Sequence, residues 1–132
     1  MVAAQRSRFV RLVTNEIHPH SGHALGVFHA VRYLRDDGKL SRSEEAAANR
    51  VFDWLSDHLA SPPPRLLRKY PRAVSWFNLE ARQHIARADS LARLLVKKGI
   101  RVRRLERAHP GRIVFTDEHQ VFALPRARSL RR

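Results

Sequence analysis

AVSWFNLEARQHIARADSLARLLVKKG, residues 73–99, changes its hydrophobic period once, and that change decides the fold. Four of its first five residues are apolar, and the run is short and bounded by Pro71 and Asn78, the pattern of a buried strand. Beyond Asn78 the apolar positions Ile85, Ala88, Ala92, Leu95 and Val96 recur at helical spacing, while Arg82, Arg87 and Arg93 fall elsewhere on the wheel. Asn78 is expected to cap this helix. Lys97 and Lys98 stand where the helix dipole favours cations, and Gly99 takes the position just past the end, where a left-handed residue closes helices.

The flanks extend the alternation of strand and helix. Downstream, residues 100–107, 112–116 and 119–124 read as three short strands, with His109-Pro110-Gly111 and Asp117-Glu118 as turns of an antiparallel meander. Upstream, residues 8–17 (RFVRLVTNEI) are rich in β-branched side chains and stop at His18-Pro19, which predicts a strand. Ser21 offers an N-cap to a helix with Leu25, Phe28, Val31 and Leu34 on one face, ending at Asp37-Gly38. Ser41 and Glu44 form a capping box for a second helix that buries Ala48, Val51, Phe52, Leu55 and Leu59 and stops at the three prolines 62–64. Residues 65–72 (RLLRKYPR) read as an exposed basic linker, either loop or a short helical turn. The expectation is an α+β domain over residues 1–124, with three helices packed on a mostly antiparallel sheet of about five strands in the order β-α-α-β-α-β-β-β. Residues 125–132 (PRARSLRR) show no apolar periodicity and read as a mobile basic tail.

Charge is the strongest functional signal. The 132 residues hold 26 Lys and Arg against 12 Asp and Glu, a formal charge of +14, and 11 of the cations lie from Lys97 onward. Such an excess attracts polyanions at long range and gains free energy by releasing their condensed counterions. Arg outnumbers Lys 22 to four, which suits bidentate phosphate contacts and equally suits an arginine-rich codon bias. Arg101, Arg103 and Arg107 share one strand parity, so their guanidinium groups are expected on one sheet face. Arg112 across a hairpin, and Arg126, Arg128, Arg131 and Arg132 in the tail, would extend that ridge into a phosphate-tracking surface.

Other chemistries find less support. With no cysteine there is no disulfide, thiolate metal site or cysteine nucleophile. The string His18, His20, His23 with Glu16 has metal-like spacing, but a polar turn ahead of the first helix accounts for it, and no metal or cofactor is assigned. Asp117, Glu118 and His119 put carboxylates beside an imidazole, yet neighbours on a turn point in different directions, so no catalytic residue is assigned. No glycine-rich phosphate loop, nucleophile elbow, RNP motif, KH loop or zinc finger is present. No signal sequence or membrane span is read, so a cytoplasmic location without membrane partners is expected.

Three pieces of the chain, taken together, resemble a group of small bacterial proteins of unknown function. These are Glu16-Ile17 with Ser21-Gly22 and Gly26-Val27-Phe28, then Ser75-Trp76-Phe77 with His84-Ile85, and finally residues 111–115 (GRIVF) with 117–121 (DEHQV). The resemblance covers about residues 8–125. It implies a single-domain bacterial protein and carries no activity, and it makes His84 and residues 117–120 the positions to test for a shared site. Three functions follow in order. The first is a non-enzymatic protein that binds nucleic acid, DNA or RNA, without reading bases, through the 101–112 hairpin and the tail. The second is an interaction module for an acidic partner or a nucleoprotein complex. The third is an enzyme using His84 or His119.

Overall fold

The computed structural model describes residues 8–17 and 22–125. Its elements run β1 (Phe9–Ile17), β2 (Ala24–Gly26), α1 (Val27–Asp36), α2 (Arg42–His58), α3 (Pro64–Lys69), β3 (Val74–Asn78), α4 (Arg82–Lys97), β4 (Val102–Arg107), β5 (Arg112–Thr116) and β6 (Gln120–Leu124). The α+β class stands, with four helices and six strands among the described residues instead of three and about five. The additions are short. β2 has three residues, too few for a period, and α3 has six, opened by Pro64 at a position where a missing N–H costs nothing. No helix among the described residues is long and apolar enough to cross a membrane.

Local chemistry sets the helix boundaries. Ser41 Oγ accepts from Glu44 N at 3.1 Å and Glu44 Oε1 accepts from Ser41 N at 2.8 Å, completing the capping box of α2. The same carboxylate meets Lys98 Nζ at 2.7 Å and Lys97 Nζ at 3.2 Å, tying the start of α2 to the end of α4. Gly99 has φ +86°, and Ile100 N donates to Leu95 O while Gly99 N donates to Val96 O. These two bonds satisfy the last carbonyls of α4, the arrangement for which a left-handed glycine is favoured. Two expected caps are different. Ser21 lies outside the described residues, and Gly26 precedes α1. Asn78 ends β3, and its Nδ2 donates to Glu118 O at 2.9 Å; α4 begins after Ala81, with no side-chain cap.

Every described pairing is antiparallel, in the order β4-β1-β3-β6-β5, with β2 also on β1. β1 shares one edge between β3, at Phe9 and Val10, and β2, from Val13 onward. Arg11 fills the gap between them, donating to Ser75 O and Ala24 O at 3.1 Å each. Burial holds its guanidinium down at about 10. Gly26 leaves it room, since a Cβ there would stand 3.3 Å from Arg11 Nη2.

The expected 101–112 hairpin does not form. β4 pairs with β1, from Phe9 opposite Arg107 to Thr14 opposite Val102, and β5 pairs with β6. Residues 108–111 therefore join opposite edges of the sheet, a reach of at most about 18 Å. Four inter-strand gaps of about 4.8 Å, plus the offset along the strands, exceed that reach in a flat sheet. The sheet must be strongly coiled. Two cores result: Val10, Leu12 and Phe77 pack with α1, α2 and α4, while Phe9, Trp76, Val121 and Ala123, with Leu105 against them, fill the hollow on the other face.

Candidate nucleic-acid interface

The topology divides the expected arginine ridge. Arg103 and Arg107 lie opposite Val13 and Phe9, on the hollow side of one outer strand, and Arg101 stands exposed just ahead of it. Arg112 lies opposite Leu124 on the last strand at the other edge, and the alternation with Ile113 and Ala123 puts it on the helix side. Arg126, Arg128, Arg131 and Arg132 lie outside the described residues. Along β4 the positive charge is partly answered at home. Glu106 meets Arg8 Nε at 3.5 Å and Arg104 Nε at 3.1 Å.

A different cationic setting forms where α3 faces β5. A groove of about 510 Å³ is lined by Pro63, Arg65, Leu66, Lys69, Tyr70, Arg112, Ile113 and Val114, with no carboxylate in its wall. Lys69 Nζ lies 5.4 Å and Arg112 Cζ 5.8 Å from the centre of the Tyr70 ring, within range of cation–π attraction. Arg112 pairs with Leu124, and Pro125 is the next residue, so the chain leaves for its four remaining arginines from this end of the groove. In the sequence alone, Arg65, Lys69 and Tyr70 belong to the stretch that reads as a linker. Their signal was present in RLLRKYPR, an aromatic interleaved with cations, but only the pairing of β5 with β6 brings Arg112 to it.

A second cleft, of about 380 Å³, lies at the start of α4 between Trp54, His58, Glu80, Arg82, His84 and His119. It joins positions that the sequence holds far apart. His84 stacks on His119, ring centres 4.2 Å apart, and its edge meets Trp54 at 4.9 Å. Trp54 is also in contact with His58, stacked at 4.1 Å, and with the Arg87 guanidinium, 4.5 Å from its ring centre. Asp117 does not face the imidazoles as an acid–base partner. Its Oδ1 accepts from His119 N and Gln120 N and its Oδ2 from Gln120 Nε2. Burial raises this carboxyl, but the three donors outweigh it and hold the pKa below the usual aspartate value. Asp117 thereby shapes the turn that presents His119. No group of three or more His, Asp or Glu side chains among the described residues is arranged to hold a metal ion.

No family model, curated protein or solved structure matches this chain.

Proposed function

We propose that the protein binds single-stranded nucleic acid through the α3–β5 groove, with the arginines after Pro125 continuing the phosphate track. The observation that carries this reading is the grouping of Arg65, Lys69 and Arg112 around the Tyr70 ring in a groove free of carboxylates. Lys69 and Arg112 would turn from the ring to flanking phosphates, and a base would take their place on it, an exchange that needs no base-edge recognition. Double-stranded DNA offers the same phosphates but keeps its base faces stacked, so the tyrosine would add nothing there. The cation excess supplies the long-range attraction, and the groove supplies a place for it to act.

The test is fluorescence anisotropy of the full chain with labelled single- and double-stranded oligonucleotides over a range of salt. Tighter binding to the single strand, with log affinity falling by about 0.7 per contacted phosphate for each decade of salt, supports the reading. Equal affinity for both forms, or binding unaffected by Tyr70→Ala, would leave only a diffuse charge effect and refute the groove. Absence of binding at moderate salt would refute nucleic-acid binding and favour an acidic protein partner.

A further inference from the structure

β4 is an edge strand whose outer side is open. It pairs with β1 alone, in six consecutive antiparallel positions from Val102 to Arg107 with no shift of register, and no other strand lies beside it among the described residues. In an antiparallel ladder alternate residues turn both backbone groups to the partner strand, and the residues between them turn theirs away. About half of the N–H and C=O groups of β4 therefore point outward, with no backbone partner among the described residues. The other outer strands are less suited to receive a neighbour. β2 has only three residues, and the register of β5 shifts between Ile113 and Phe115, an irregularity that spoils an edge for further pairing.

The side chains of β4 define what can pair there. Arg103, Arg104 and Arg107 are exposed, and of these only Arg104 has a carboxylate partner among the described residues, Glu106 at 3.1 Å. Leu105 lies between Arg103 and Arg107 on the hollow side, packed against the cluster that includes Phe9 and Trp76. A second copy of this chain is a poor occupant, because two β4 strands laid side by side set arginine against arginine. A nucleic acid has phosphates but no row of amides to match the outward backbone groups, and β4 offers no ring to its bases.

We propose that the β4 edge binds an extended acidic segment of another protein by strand addition, with carboxylates opposite Arg103 and Arg107 and an apolar side chain between them, opposite Leu105. The segment runs antiparallel to β4, as every described pair in the sheet does. Backbone hydrogen bonds hold it, and the alternation of acidic and apolar side chains on the hollow side selects it. Arg104, on the other face, takes a further carboxylate. This edge lies across the sheet from the α3–β5 groove, so the inference does not rest on nucleic-acid binding.

The test uses the full chain and a short labelled peptide with the core Glu-Thr-Val-Glu-Glu, which matches residues 107 to 103 in antiparallel register. Fluorescence anisotropy reads its affinity, and amide hydrogen exchange locates it. Two further versions carry N-methyl groups on one or the other alternate set of amides. One set faces β4 and the other faces away, so one version is expected to lose binding more than about tenfold and the other to keep it. The bound peptide is expected to slow exchange at alternate amides within residues 102–107. Arg103→Glu with Arg107→Glu is expected to weaken the peptide about tenfold or more, and a peptide with lysine at the two facing positions to restore binding. Should that variant unfold, the methylated pair, tested on the unaltered chain, decides. Equal affinity of the two methylated versions, slowed exchange at residues 112–116 instead of 102–107, or no saturable binding would each overturn the proposal. Failure of the oligonucleotide reading leaves these outcomes unchanged.

Discussion

β4 and β5 are outer strands at opposite edges of the sheet, and both carry arginine, but they differ in what stands beside the charge. On β4, Arg103, Arg104 and Arg107 are exposed, Glu106 answers part of their charge, and no aromatic ring is in contact with them among the described interactions. On β5 a single arginine, Arg112, faces a tyrosine and two further cations from α3, with no carboxylate in the groove wall. Counting cations along the chain favours β4. Counting what a nucleotide needs, a ring face and phosphate donors together, favours β5.

The largest expected effect comes from removing the β5 edge itself. Gly111 has φ +131°, and a Cβ there would lie 2.1 Å from Leu124 O, so backbone must move to admit any side chain. Gly111→Ala is expected to cost about 3 kcal/mol or more in urea denaturation. Gly38→Ala, also at positive φ but facing open space, is expected to cost about 1 kcal/mol. Comparable losses at the two sites would mean that the β5–β6 contact is looser than described, and the groove with it.

A smaller effect separates the ring from the charge. Tyr70→Ala is expected to weaken single-strand binding by about 1–3 kcal/mol while leaving the salt slope unaltered, because no phosphate contact is removed. A changed slope with unchanged affinity at low salt would place Tyr70 outside the contact.

The smallest effect lies away from both edges. Glu44, held by Lys98, the Ser41 amide and Lys97, has its pKa lowered from 4.5 to about 2. Its folded value is depressed, so its contribution is present above about pH 4.5 and fades as pH falls toward 2. Glu44→Gln should therefore lower the Tm at neutral pH, with the difference from the wild-type chain closing below pH 4. A difference that persists at pH 2 would assign the loss to the cap hydrogen bonds rather than to the charge. Oligonucleotide affinity should be the same in both chains.

The elements with a long period or an explicit cap were legible in the sequence. The capping box of α2, the glycine closure of α4 and the limits of β5 depend on residues within a few positions of one another. Pairing was not legible in the same way. β4 and β5 look like a hairpin because a proline–glycine turn joins them, but β4 pairs with β1, where Val102 packs against the helix-side core and Leu105 against the cluster in the hollow. That one long-range choice sends Arg103 and Arg112 to opposite faces. It also brings Arg112 to Tyr70, 42 positions earlier in the chain, a contact that no local pattern announces. His84 and His119, 35 positions apart, meet through a ring stack that no local pattern in the sequence announces. The uncapped start of α4 was hidden because Asn78 has the composition of a cap and is used in a strand instead.

The most direct test of the account compares charge reversal at the two edges. Single-strand affinity and its salt slope would be measured for Lys69→Glu with Arg112→Glu and, separately, for Arg103→Glu with Arg107→Glu, in the full chain. The first pair is expected to lower affinity more than about tenfold and to remove about 1.4 from the slope, two phosphate contacts at about 0.7 each, while the second pair costs less than about threefold. Equal losses from the two pairs would contradict it, and a greater loss from the β4 pair would return the interface to the edge where the sequence alone places it.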